Sequence, residues 1–152
     1  MLDITNTTKQ KINRKIAVAI TESLLNFYKK NNSEVSLVII GSKKMRSLNR
    51  DFRGIDKTTD VLSFPGLSGQ AAAKIASPFL GEIFINIQET GRPKKYLEVC
   101  GERKSRAYIF YFLLVHGLLH LLGYDDQMEK SRRAMIILGE RFLSGFFKKK
   151  VL

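Results

Sequence analysis

Apolar residues recur at intervals of three and four along the first third of the chain: Ile12, Ile16, Ala19/Ile20, Leu24 and Phe27. That spacing marks one face of a helix. It predicts a helix over Lys9 to Lys30, with Thr7 or Thr8 as its cap. Asn31-Asn32-Ser33 breaks the pattern. Glu34 to Gly41 is short, apolar and β-branched, which reads as a buried strand. Ser42 is expected to cap a short helix from Lys43 to about Phe52, ending near Gly54. Leu2 to Thr5 and Asp60 to Phe64 read as strands, the second stopped by Pro65. Gly66 to Pro78 is rich in Gly, Ser and Ala and reads as a mobile loop. Leu80 to Ile87 alternates as a fourth strand does. Arg92-Pro93 makes the next helix start late or kink. Glu102 to Leu122 is a long apolar helix that Gly123 suits as a left-handed stop. Gln127 to Phe147 is a last amphipathic helix, with Met128, Ser131, Met135, Leu138, Phe142 and Phe146 facing inward.

Strands and helices mix, with no repeat and no linker. The expected fold is therefore one α/β (α+β) domain over residues 1–152. It has about four mixed strands and about five helices around a central buried helix. The chain is 44% hydrophobic and 26% charged, so it can bury a core and is not intrinsically disordered. Its single cysteine excludes a disulfide framework and a four-cysteine zinc cage. The net charge of +12 points to a polyanionic partner or an anionic surface. The start of the chain lacks the pattern of a secretory peptide. Ala107 to Tyr124 carries no formal charge and approaches a bilayer-spanning length. It holds two histidines, costly in a membrane, so the expectation is the central helix of a cytoplasmic protein.

Those two histidines, His116 and His120, are the only ones in the chain. On a helix they lie about 40° apart on one face, where two imidazoles can converge on one cation. Gly123 then lets the chain reverse and return a third donor to the same cation. Metzincin proteases use similar spacing, but with a glutamate after the first histidine as proton acceptor. Gly117 stands there, so that chemistry is excluded. The bland alternative is a pair of core histidines with hydrogen-bond partners.

The run His116-Gly117-Leu118-Leu119-His120-Leu121-Leu122-Gly123-Tyr124-Asp125-Asp126 resembles the HGxLHLxGYDH signature of the YbeY family of metal-dependent endoribonucleases. Asn49-Arg50-Asp51-Phe52-Arg53, then Thr59-Asp60-Val61-Leu62-Ser63-Phe64-Pro65, resembles the family's N-x-x-(Y/F)-R and TDVLSFP blocks. Leu80-Gly81-Glu82-Ile83 stands where the family has its LGDI strand. Two departures stand out. Asp126 occupies the place of the family's third histidine ligand, and Thr58 that of a proline, which is expected to soften its loop.

The resemblance implies one Zn²⁺ per chain held by His116, His120 and Asp126, with Arg53 as the catalytic arginine. Asp126 has a competing role, because Asp126-Gln127-Met128-Glu129 also fits a capping box for the last helix. As an anionic ligand it would leave less net positive charge on the ion than a histidine. Asp125 is a candidate to orient a histidine N–H. Arg53 offers a planar fork for phosphate oxygens, unless it pairs Asp51 or Asp56 as an ordinary helix-end residue. Cys100 is expected to be a packed thiol. The implied function is a single-strand-specific endoribonuclease in ribosomal RNA maturation: small-subunit rRNA 3′-end processing and ribosome quality control. Its partners would be RNA and the small ribosomal subunit, with no membrane. A ribosome-assembly or RNA-binding protein with a vestigial metal site competes with this reading. So does a metal-dependent hydrolase of a small phosphorylated or amide substrate.

Overall fold

A computed structural model describes residues 1–66 and 78–151, so most of the Gly66–Pro78 loop lies outside the described residues. Four strands form one mixed sheet: β1 (Leu2–Asn6), β2 (Glu34–Ile40), β3 (Val61–Pro65) and β4 (Phe79–Asn86), in the order β1-β2-β4-β3. β1 and β4 run parallel to β2, with Leu37 opposite Ile4 and Ile83. β3 is the antiparallel edge, with Ser63 opposite Ile83. Alternation divides the two faces of β2. Val35, Leu37 and Ile39 enter the main core, while Ile40 joins Met45 and Leu62 in a smaller one beneath α2 (Ser42–Arg53).

The main face is covered by α1 (Arg14–Phe27), α4 (Arg106–Leu121) and α5 (Glu129–Val151). α4 packs against the sheet and against both other helices. That explains why it is apolar all round rather than along one stripe. It is the central helix expected from the sequence. No helix among the described residues is long and apolar enough to cross a membrane.

Helix starts differ from the sequence expectation for local reasons. α1 begins at Arg14, because Asn13 caps it by accepting from the Ile16 N–H at 3.2 Å. The Thr7 hydroxyl donates to the Ile39 carbonyl, and Thr8 donates twice to the Asn6 side chain, so neither threonine is free to cap. Gly41, not Ser42, is the cap residue of α2, and Gly54 closes that helix at φ +70°. Pro93 opens a short 3₁₀ turn, Pro93–Tyr96, which runs into the one-turn α3 (Leu97–Cys100). Ser105 caps α4 through the Tyr108 N–H, so Glu102 is outside it. Phe27 and Met128, both expected inside, are exposed. Met135 and Phe146 are buried as expected, Leu138 and Phe142 pack partly buried against the core, and Gly139 and Leu143 complete the buried line of α5.

Candidate metal centre

α4 brings His116 and His120 together edge to face, with ring centroids 4.9 Å apart. The helix then ends in a Schellman turn. The Tyr124 N–H donates to the Leu119 carbonyl, the Gly123 N–H donates to that of His120, and Gly123 sits at φ +104°. That reversal carries the chain back over the histidines. The Asp126 Oδ2 lies 3.4 Å from the His116 Nε2 and 3.3 Å from the His120 Nε2. One donor atom from each residue falls within 4.8 Å of the others. Donors bound to a tetrahedral zinc at 2.0–2.2 Å lie roughly 3.3–3.6 Å apart. The two histidine–aspartate separations match that edge, and the donor set of two imidazoles and a carboxylate suits the ion.

The tautomer of His120 follows from its partner. Its Nδ1 lies 3.0 Å from the Tyr124 carbonyl, which only accepts, so Nδ1 carries the proton. Nε2 is the nitrogen that faces Asp126. Burial, reinforced by His120, holds the His116 imidazole below its ordinary range despite Asp126 and Asp60. His116 is therefore neutral at neutral pH and ready to donate a lone pair. Its Nδ1 is buried and has no hydrogen-bond partner.

The competing roles of the neighbouring aspartates separate cleanly. Asp125 accepts from the Gln127 N–H and the Ser131 hydroxyl rather than from a histidine. The orienting group expected of Asp125 is thus the Tyr124 carbonyl. The Asp126 carboxylate is turned to the imidazoles, and Ser131 serves the start of α5 through the Met128 N–H. Thr58 does not soften its loop. Its hydroxyl donates to the Ser42 carbonyl and accepts from the buried Asn86 amide, replacing the rigidity of a proline ring with two hydrogen bonds.

The triad opens on a cavity of about 650 Å³ that Arg53 also lines. Arg53 pairs with neither nearby aspartate, since Asp56 takes both prongs of Arg46 and Asp51 takes Arg50. Sequence reasoning missed Asp60, Lys95 and Tyr96, which also line this cavity. The Tyr96 hydroxyl donates to Asp60 at 2.9 Å, and Lys95 sits between Asp60 and the buried Glu89. Burial and then Asp60 push the Tyr96 hydroxyl well above its usual range, so it stays a donor. The available signal was Asp60 inside the Thr59–Pro65 block. Cys100 is a half-buried thiol pushed up to about 11, first by burial and then by Glu140. It is not among the residues that line this cavity.

Gly117 has a packing reason. A Cβ there would meet the Ile83 Cγ2 at 2.8 Å and the Ser63 hydroxyl at 3.2 Å. The missing side chain lets α4 approach β3 and β4 closely, and Ser63 donates to the Gly117 carbonyl. Gly117→Ala is expected to cost about 1–3 kcal/mol, the range for overpacking a tight core. Denaturant titration of the metal-free protein reads this directly.

The model of the family described as Endoribonuclease YbeY matches residues 3–146. The Endoribonuclease YbeY of Heliobacterium modesticaldum is 38% identical over 123 residues, covering 76% of this chain and 71% of that protein. That of Geobacillus thermodenitrificans is 38% identical over 120 residues, covering 75% and 73%. A Thermotoga maritima protein solved in solution shares the fold, with a TM-score of 0.60 and 22% identity over 99% of this chain and 93% of that one. The resemblance first met in two short motifs thus extends along nearly the whole sequence, and the chain belongs to the YbeY family of endoribonucleases.

Proposed function

We propose that the protein is a zinc-dependent, single-strand-specific endoribonuclease that matures ribosomal RNA in the cytoplasm. The observation that carries this reading is the convergence of His116, His120 and Asp126 at a cavity that also presents Arg53. His116 and His120 would hold the ion through Nε2, and Asp126 through a carboxylate oxygen. Bound there, Zn²⁺ supplies Lewis acidity to water and to a phosphoryl oxygen. The Tyr124 carbonyl fixes the His120 ring so that its lone pair faces the site. Arg53 offers two parallel N–H groups to the charge that develops on phosphate oxygens. The Tyr96 hydroxyl and Lys95 hold the Asp60 carboxylate at the same cavity. Family membership supports an RNA substrate, and the net charge of +12 suits a polyanion. A ribosomal target is what the resemblance implies.

A vestigial site in a pure assembly factor is not favoured. Asp126 faces the histidines, and Thr58 holds its loop. The test is cleavage of an unpaired RNA against the same sequence in a duplex, with and without a chelator. Chelator-sensitive cleavage of the unpaired strand is expected. Binding without cleavage under all metal conditions would overturn the reading.

Arg53→Lys separates catalysis from docking. Lysine keeps the charge and loses the planar fork. Turnover is expected to fall by about 10²-fold, the scale for losing one oriented donor to developing charge. RNA affinity should change far less. Steady-state kinetics beside a binding isotherm checks this, and equal losses in both would make Arg53 a docking residue.

A further inference from the structure

Phe52 is a large apolar side chain that is 69% exposed, at the end of α2 beside Arg53. Its ring meets Phe64 edge-on, with centroids 5.3 Å apart and planes at 61°. Phe64 meets Phe84 in the same way at 5.7 Å and 82°. The inner two rings pack against the small core of Ile40, Met45 and Leu62, so the row is anchored at one end and open at the other. Phe64 and Arg53 both line the cavity, and Phe52 adjoins each of them, Arg53 as its neighbour in the chain and Phe64 through its ring. An exposed ring braced by a second ring therefore stands next to an arginine that neither Asp51 nor Asp56 neutralises.

We propose that Phe52 is a stacking platform for an unpaired nucleobase of the RNA strand whose phosphate Arg53 contacts. This rests on the endoribonuclease reading above. Aromatic rings stack on any base, because every base has a π-face. A base in a duplex already spends its faces on its neighbours, whereas an unpaired base is free to stack on protein. The platform thus gives preference for single strands a physical source that the metal triad alone lacks. The braced geometry also holds the ring in place before RNA arrives, which lowers the ordering cost of binding.

The chain has no tryptophan, so Phe52→Trp introduces a unique fluorophore at the platform. A short unpaired oligoadenylate is the probe. Phe52→Ala is expected to bind it roughly ten-fold more weakly, the scale of one lost stacking contact. Phe52→Trp should keep wild-type affinity, and its emission should be quenched as the oligonucleotide saturates. Thermal melting of both variants confirms the fold. Wild-type affinity in Phe52→Ala would overturn the proposal and leave Phe52 to a protein partner. So would an unchanged Phe52→Trp emission with RNA bound. Cleavage that persists beside either result would leave the nuclease reading intact. Conversely, quenching and weakened Phe52→Ala binding without any cleavage would support the platform and overturn the nuclease reading.

Discussion

His116→Ala and His120→Ala are each expected to lose stoichiometric metal and all detectable RNA cleavage while keeping the fold. The chain contains no third histidine to take over. Removing a group that merely orients a ligand already weakens metal binding by about 10–100-fold. Deleting a donor should exceed that range, and elemental analysis of the purified variants reads it. The fold should survive, because both side chains line the cavity.

For His116 a second, metal-free readout exists. Its folded-state pKa lies below the ordinary 6.5, chiefly because of burial. The stability tied to its neutral form is therefore fully present above about pH 6.5. It is lost as pH falls from there through the lower folded-state value, because the unfolded chain takes up the proton first. His116→Ala should remove that component of the acid destabilisation. A variant whose metal-free stability keeps the wild-type slope between neutral and mildly acid pH would show that His116 does not carry it.

Asp126→Ala should weaken metal binding strongly, and Asp126→His should restore it. The carboxylate oxygen stands 3.3 and 3.4 Å from the two imidazole nitrogens and makes no hydrogen bond to the start of α5. Stability of the metal-free protein should therefore move by less than the 0.5–2 kcal/mol or so that loss of a helix cap costs. Asp126→Asn is the sharpest variant, since its amide keeps the shape and donates poorly to zinc. It should melt like the wild type without metal and lose much of its affinity with metal. Zinc binding of the wild type should also weaken as pH falls, because protons compete for imidazole and carboxylate donors. Normal metal affinity in both the Ala and Asn variants would remove Asp126 from the ligand set.

The histidine pair was legible because helical spacing is a local property. Gly123 was legible because a left-handed turn needs a residue without a Cβ. The same locality explains what was not. Thr7 and Thr8 look like caps, yet they are claimed by Ile39 and Asn6, and the partner of Thr7 lies on a different strand. Asp126 reads as a ligand with a competing role as cap, and only the Schellman turn shows which way its carboxylate faces. The cavity wall formed by Asp60, Tyr96 and Lys95 joins residues from two distant segments, and no periodicity links them. Thr58 looked like a loss against the family's proline. Only Ser42 and Asn86, brought beside it by the sheet and α2, show how the loop is held. The insertion of β4 between β2 and β3 is likewise a long-range choice that strand patterns do not encode.

The most direct measurement is zinc titration of the metal-free wild-type protein, following cleavage of an unpaired RNA and bound metal in the same samples. Cleavage should rise in proportion to bound zinc and reach its plateau at one ion per chain. The His120→Ala protein should stay inactive throughout. RNA cleavage at full rate before any zinc is bound would contradict a metal-dependent nuclease built on His116, His120 and Asp126.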